Sequence, residues 1–520
     1  MSAFEAPLLR QGAKLLNRFG PSRRWLNRLL IDRLVTKCRE RPHPWSTAHD
    51  YVSWTSLTER RWSARHLPAY DPDQPLPPVE EVVELFRRPD GVPSRLSSKS
   101  TLLFPAFAQY LTDGFIRTRM PSDDEDPSIR LQNTSNHEID LCTLYGRTPA
   151  QTLALRTRSE DEGERGRLRS EVQGGEEFPP LLLDGGGAVR PEFAVLDEPL
   201  GASSMTDEGR RTLFAVGGDR VNAVPQVAMI NTLLLREHNR LAAAIEADHP
   251  DWDDTRVFET ARNCVIVMFI TIVVEEYINH ISPVDSPFTA DPSAAWDAPW
   301  NKPNWITTEF SLLYRWHSLI PDETVWNGTT LPARATLSNN APLVAGGLRQ
   351  SFIDISSQAA ARLGPRNTTP TLLPIEAAAI AQGRLARLAP VNDYRRYMGM
   401  DPFVSFDEVS SDAGVASQLR DLYGRVGRIE YYPGLFAEDP VGDGPLPELL
   451  LYMVAVDAFS QALTNPLLSK HVFTQGPAVF SEVGWRTIGE THTLRDVLAR
   501  NVSQRLGRER ISMDRSSWRP

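Results

Sequence analysis

Tyr314 and His317 stand three residues apart in the stretch Glu309-Phe310-Ser311-Leu312-Leu313-Tyr314-Arg315-Trp316-His317-Ser318-Leu319-Ile320-Pro321-Asp322. The stretch reads as the end of an amphipathic helix that stops at Pro321, because proline cannot continue the hydrogen-bond ladder. On such a helix the phenol and the imidazole share one face, about one turn apart. A neutral imidazole is a good axial ligand for haem iron. A phenol one turn away could be oxidised by such a haem and hold the hole as a tyrosyl radical. The same spacing is also what a core tyrosine and a core histidine at a helix end would show.

The elements that must position these groups read as helices. Gln109 and Asp113, four residues apart in Thr101-Leu102-Leu103-Phe104-Pro105-Ala106-Phe107-Ala108-Gln109-Tyr110-Leu111-Thr112-Asp113, share a helical face. Residues 255–282 form a long apolar-periodic helix with Tyr277 near its end. Its most apolar run, 265–274, stops at Glu275 and Glu276, short of the ~18 apolar residues a membrane span needs, so a buried helix is expected. Residues 449–463 form a strongly apolar helix, and 359–388 read as helices broken by Gly364-Pro365. Residues 157–190, charged and glycine-rich without periodicity, read as an exposed excursion.

The 520 residues are 41% hydrophobic with a formal net charge of −10, enough for one large catalytic domain or two ordinary ones. The acidic balance argues against a nucleic-acid partner, whose phosphates need a basic surface. Cys38, Cys142 and Cys264 have no metal or disulfide spacing. The first residues lack the apolar core and cleavage pattern of a signal peptide, so a reducing, cytoplasmic setting is expected. Residues 1–41 differ from the rest: ten basic side chains against three acidic ones give +7. Leu15, Leu16, Phe19, Trp25, Leu26, Leu29, Leu30 and Leu34 recur there at roughly helical spacing. A basic amphipathic helix pair with a tryptophan suits the headgroup layer of an anionic leaflet. Packing on the catalytic domain or on a second subunit is the alternative.

The string Leu313-Tyr314-Arg315-Trp316-His317-Ser318-Leu319-Ile320-Pro321-Asp322 closely resembles the proximal segment of the cyclooxygenases (prostaglandin-endoperoxide synthases), within the animal haem peroxidase superfamily. Other strings resemble the family in nearly its order: Asn136-His137-Glu138-Ile139-Asp140-Leu141, Leu235-Arg236-Glu237-His238-Asn239-Arg240, Glu275-Glu276-Tyr277-Ile278-Asn279-His280, Glu430-Tyr431-Tyr432-Pro433-Gly434-Leu435 and Glu482-Val483-Gly484-Trp485. The resemblance implies a mainly α, cyclooxygenase-like catalytic domain over residues 42–510. Residues 1–41 would be a monotopic membrane anchor and channel mouth, and 511–520 a basic, frayed tail. It implies one haem b held by His317, without a covalent link, because the glutamate that ester-links haem in mammalian peroxidases falls at Ala223. Tyr314 takes the radical position and Tyr277 that of its hydrogen-bond partner. Tyr432 matches a tyrosine linked to the proximal histidine, often through water, and Trp316 is expected against the cofactor. For the substrate, Lys37 or Arg39 falls near the channel-mouth arginine, Val284 at a constricting tyrosine, and Ala458 at the aspirin-sensitive serine, so acetylation by aspirin is not expected. His137 and His238 are structural in the family.

The largest departure from the family lies on the distal side. Gln109 matches the family glutamine, but Asp113 replaces the distal histidine that moves a proton between the oxygens of a peroxide. A carboxylate could do that work only if burial raised its pKa from ~4. Arg220 matches an arginine that reaches the distal pocket in the peroxidase branches. Paired with it, Asp113 would stay ionised and shuttle protons poorly. The resemblance thus implies a dioxygenase of a long-chain unsaturated fatty acid, peripheral on a membrane, with weakened or altered peroxidase activity; relatives are often homodimers. The alternatives are a peroxidase or dehydrogenating oxidase driven by hydrogen peroxide, and a haem-binding protein that has lost catalysis.

Overall fold

The computed structural model describes residues 20–36, 59–120, 124–201, 205–283, 287–442 and 444–516. Its frame is helical, as expected: α1 (Gly20–Val35), α2 (Leu103–Asp113), α3 (Pro225–Asp248), α4 (Asp254–Ile272), α5 (Thr308–Leu313), α6 (Ala341–Ser356), α7 (Leu373–Leu385), α8 (Tyr431–Ala437), α9 (Glu448–Leu463) and α10 (Leu494–Asn501), with further helices between them. Three two-stranded sheets accompany them. β1 (Leu96–Thr101) pairs with β6 (Ala359–Ala361), β2 (Glu171–Gln173) with β3 (Glu176–Phe178), and β4 (Glu323–Trp326) with β5 (Thr329–Pro332), all antiparallel.

Helix α3 is the axle. It starts on Pro225, where the missing N–H would have had no partner anyway, and α2, α4, α6 and α10 pack around it. A helix enclosed on all sides must satisfy its polar side chains internally, and the Arg236–Asn239 string does so. His238 receives the Tyr145 hydroxyl group at Nδ1, 3.0 Å away, and sets Nε2 2.8 Å from the Gly166 carbonyl. Burial holds its pKa down at about 3. Glu237 pairs with Arg240 and Arg500, and Asn239 brackets the backbone of Leu168. His137 is likewise tied at both ring nitrogens, to Arg60 O and Ile306 N. These histidines brace the fold.

Helix α4 runs on into a π-helical turn, Val273–Ile278, and a last short turn, Asn279–Ile281. The whole rod of 28 residues is long and apolar enough to cross a membrane, but 83% of its most apolar window is buried inside the protein. The extra residue of a π turn shifts the side chains after it around the axis, and such turns gather at functional sites; Tyr277 sits in this one.

Three expectations are corrected. Residues 157–190 are not an exposed excursion: Leu168, Phe178, Leu182 and Leu183 are buried, and Arg236 of α3 donates to the Glu177 carbonyl. Residues 359–361 form the strand β6 rather than a helix, because they complete the ladder of β1; the helix begins only at Leu373. The tail from 511 is docked rather than frayed as far as Ser516. Ile511 and Met513 are buried, Thr101 N donates to Met513 O, and Asp514 lies 3.6 Å from His280.

Candidate active site

Helix α5 begins at Thr307, whose hydroxyl caps it by accepting from Phe310 N. It ends at Leu313, well before Pro321, so Tyr314 and His317 do not share a helical face as the sequence pattern suggested. Tyr314 takes φ −94°, ψ 12°, and Trp316 takes φ −93°, ψ 46°, outside the helical basin. Trp316 causes the stop: its indole N–H donates to Leu313 O at 2.5 Å, occupying a carbonyl left open at the helix end. A single turn of 3-10 helix then opens on His317.

The break aims the two groups differently. Tyr314 points into an aromatic cluster, its ring 4.9 Å from Phe310 and 5.1 Å from Trp316. Trp316 also packs on Phe104 at 5.2 Å and lies 6.5 Å from Tyr277, so it neighbours both tyrosines. The Tyr314 and Tyr277 hydroxyls are each buried and influence one another's titration, yet they fall short of a regular hydrogen bond and have no other partner. Burial pushes both phenols well above their ordinary range, so they stay protonated.

His317 keeps part of its ring open and sets Nδ1 3.3 Å from Glu376 Oε2. Tyr432 does not reach His317 itself. Its hydroxyl donates to Glu376 Oε2 and lies 3.5 Å from Arg315 O. Burial and the Glu376 carboxylate hold the Tyr432 phenol far above its ordinary pKa. Glu376 went unnoticed in the sequence, though it carried a signal. It is the lone carboxylate on the α7 face that also presents Ala379 and Ile380 to the interior.

Across from this, Gln109 and Asp113 occupy the last two turns of α2. Asp113 Oδ1 lies 3.7 Å from Arg220 Nη1, and Arg220 also donates to Ile116 O at 3.2 Å. From the pairing alone, Asp113 is expected to stay ionised. Instead burial outweighs Arg220: it lifts the carboxyl to about 6, with Asp219 adding to the rise and Arg220, Arg315 and the Gln109 amide opposing it. Asp219 is itself engaged by Arg117 at 3.0 Å and by Arg147 at 3.6 Å. Arg315, also unremarked in the sequence, is a half-buried cation whose pKa desolvation lowers to about 10. Asp113 Oδ2, Arg220 Nε, Arg315 Nε and His317 Nδ1 are buried without a regular hydrogen-bond partner. An open imidazole backed by a carboxylate, with two guanidinium groups beside it whose Nε–H donors are unpaired, is a donor set that fits a haem and its two carboxylates.

Ala458 is buried on α9, which packs against α5 and the π turn. That helix is less uniformly apolar than its sequence suggested. Next to Ala458, Asp457 pairs with His66 at 3.1 Å. Glu309 on α5 accepts from His66 N and the Tyr394 hydroxyl. Lys37, Arg39 and Val284 lie outside the described residues.

A helical frame with this pair of faces is that of the animal haem peroxidases, and the chain belongs to that family: the family's sequence profile matches residues 114–511. It is a haem-dependent oxidoreductase. Among individual proteins it is 28% identical over 474 residues to prostaglandin G/H synthase 2 of Oryctolagus cuniculus, covering 89% of this chain and 74% of that protein. It is 30% identical over 491 residues to prostaglandin G/H synthase 1 of Canis lupus familiaris, covering 91% and 77%. Of solved structures, a fatty acid alpha-dioxygenase of Oryza sativa with palmitic acid is similar at a TM-score of 0.69 and 15% identity, covering 96% of this chain and 94% of that one. Peroxidase A of Dictyostelium discoideum is similar at a TM-score of 0.65 and 20% identity, covering 87% and 94%.

Proposed function

We propose that the chain is a haem-dependent dioxygenase of a long-chain unsaturated fatty acid, working through a radical on Tyr314. The observation that carries this reading is the setting of that phenol: half-buried with its hydroxyl turned inward, held beside Phe310 and Trp316, the hydroxyl having no regular partner, three residues from an open imidazole. The prostaglandin G/H synthases among its relatives and the palmitic acid in its structural neighbour support a lipid substrate.

His317 would hold the iron of one b-type haem, without a covalent link because Ala223 offers no carboxylate. Arg220 and Arg315 would balance the carboxylates of the porphyrin. Bound there, the haem supplies the one-electron oxidising power. Tyr314 gives up an electron and its phenolic proton, then takes a hydrogen atom from an allylic carbon. The C–H bond breaks as the Tyr314 O–H bond re-forms, dioxygen adds to the carbon radical, and the resulting peroxyl radical takes the hydrogen atom back from Tyr314, giving a hydroperoxide and restoring the radical on Tyr314. Burial suits the task, since it keeps the phenol protonated until it is oxidised and keeps water from the radical. Tyr277, whose hydroxyl influences that of Tyr314, orients it. Lys37 or Arg39 would pair with the substrate carboxylate, Val284 and Ala458 would line its path, and α1 would rest on a lipid surface.

Replacing Tyr314→Phe should abolish fatty-acid-dependent oxygen uptake while leaving the Soret band of the haem-loaded protein in place. Undiminished uptake across a fatty-acid panel on an oxygen electrode removes the radical role. A second reading, a peroxidase driven by hydrogen peroxide, is favoured by Asp113, which titrates near neutrality beside Arg220. Which oxidant turnover consumes, dioxygen or peroxide, separates the two.

A further inference from the structure

The proximal imidazole faces a buried carboxylate that the sequence strings did not point to. Glu376 is 2% exposed. Its Oε1 accepts from Thr368 Oγ1 at 2.9 Å, and its Oε2 accepts from the Tyr432 hydroxyl and lies 3.3 Å from His317 Nδ1. Four separate pieces of chain converge here: the loop after β6, α7, α8 and the turn that follows α5. Glu376 also sits in the first turn of the 13-residue α7, where the helix dipole favours a negative charge. A carboxylate buried at this depth is costly unless donors surround it. Two hydroxyls supply part of that need, and the third donor within reach is the imidazole nitrogen Nδ1 of His317, which is 3.3 Å away and unpaired.

We infer that Glu376 is the positioning residue of the proximal ligand: its carboxylate accepts the Nδ1–H of His317, fixes the ring and its tautomer, and leaves the Nε2 lone pair for iron. The inference rests on the reading of His317 as the haem ligand. A metal-bound imidazole is commonly set by the group that takes its other N–H, and a carboxylate in that place makes the ring a stronger electron donor than a neutral acceptor does. A stronger donor favours the ferric over the ferrous state. Tyr432 acts against this, because its hydroxyl spends part of the same oxygen's accepting capacity. The charge of Arg315 is felt by both Tyr432 and Glu376 and compensates the carboxylate. A purely structural Glu376, tying α7 to α8, would satisfy Thr368 and Tyr432 without any effect on iron.

The test uses the full haem-loaded chain, with the iron–histidine stretching frequency read by resonance Raman and the ferric/ferrous potential by spectroelectrochemistry. Glu376→Gln should lower the stretching frequency and shift the equilibrium about tenfold toward the ferrous form, a rise of about 59 mV for one electron. Tyr432→Phe frees the carboxylate to act on His317 alone and should move both quantities the opposite way, which a structural role would not do. Should Glu376→Gln not fold, the direction of the Tyr432→Phe shift alone decides. Haem still bound through His317, with neither variant moving frequency or potential, overturns the inference and leaves the ligand assignment standing. A His317→Ala variant with an unaltered haem spectrum overturns the ligand assignment, and the inference with it.

Discussion

Asp113 shows how burial can reverse a judgement made from charge partners. A guanidinium within 4 Å normally pulls a carboxyl pKa down, and Arg220 does pull, but removal from water pushes harder and leaves the group at about 6. It therefore changes charge between pH 5 and 7, the range in which a proton-moving group is useful. If its ionised form takes the proton of a bound peroxide, peroxide consumption should rise through a limb centred near pH 6. Asp113→Asn should erase that limb and slow the step about 100-fold or more, as stopped-flow rates at pH 5, 6 and 7 would record. Stability should carry the same signature with its own sign. The folded pKa lies above the unfolded value of 3.8, so the charged carboxylate weakens the fold above pH 6 and the penalty fades as pH falls from 6 toward 3.8. Asp113→Asn should accordingly raise the melting temperature more at pH 7 than at pH 5.

At the scale of elements, the shortness of α5 is what separates the two reactive side chains. Had the helix continued to Pro321, Tyr314 and His317 would lie on one stripe; the Trp316 indole stops it at Leu313 and swings them into different surroundings. Trp316→Phe keeps an aromatic ring but leaves the Leu313 carbonyl unpaired in a buried place. It should destabilise the protein by about 1–3 kcal/mol in chemical denaturation. The docked tail is a second element with a measurable role. Ile511 and Met513 each bury a large side chain against the body, worth about 1.5–3 kcal/mol apiece. The tail also receives the backbone of β1 and meets His280, three residues past Tyr277. Ending the chain at residue 510 should thus lower the thermal midpoint by several degrees; an unchanged midpoint would mean that the tail only rests on the surface.

Across the whole molecule, α1 stands between the body and the solvent. Its inner face, Leu26, Ile31 and Val35, is buried, and the helix lies along α9. Asn27 binds the backbone of Thr289 and Asp32 receives the Trp300 indole. Its outer face leaves Trp25 59% and Leu29 46% exposed, with Arg24 and Arg28 beside them. Apolar side chains ringed by arginines on a helix already anchored at its back suit the interface of an anionic lipid surface. Sedimentation with phosphatidylserine vesicles should show binding that weakens with salt and is lost when Trp25 and Leu29 are both replaced by Ser. Equal binding to neutral vesicles would count against the arrangement.

Much of this protein could be read from the chain alone, because identity and spacing along it carry the helical class, the family, and the meeting of Asp113 with Arg220. What tertiary structure alone decided lies between segments far apart in sequence. Glu376 approaches His317 from 59 positions away, Asp457 meets His66 across nearly 400, and residues 359–361 became a strand because β1 offered them a ladder. Periodicity reports which face of an element is apolar. It does not report what packs on that face, and the depth of burial there sets both the charge of Asp113 and the carboxylate that faces His317.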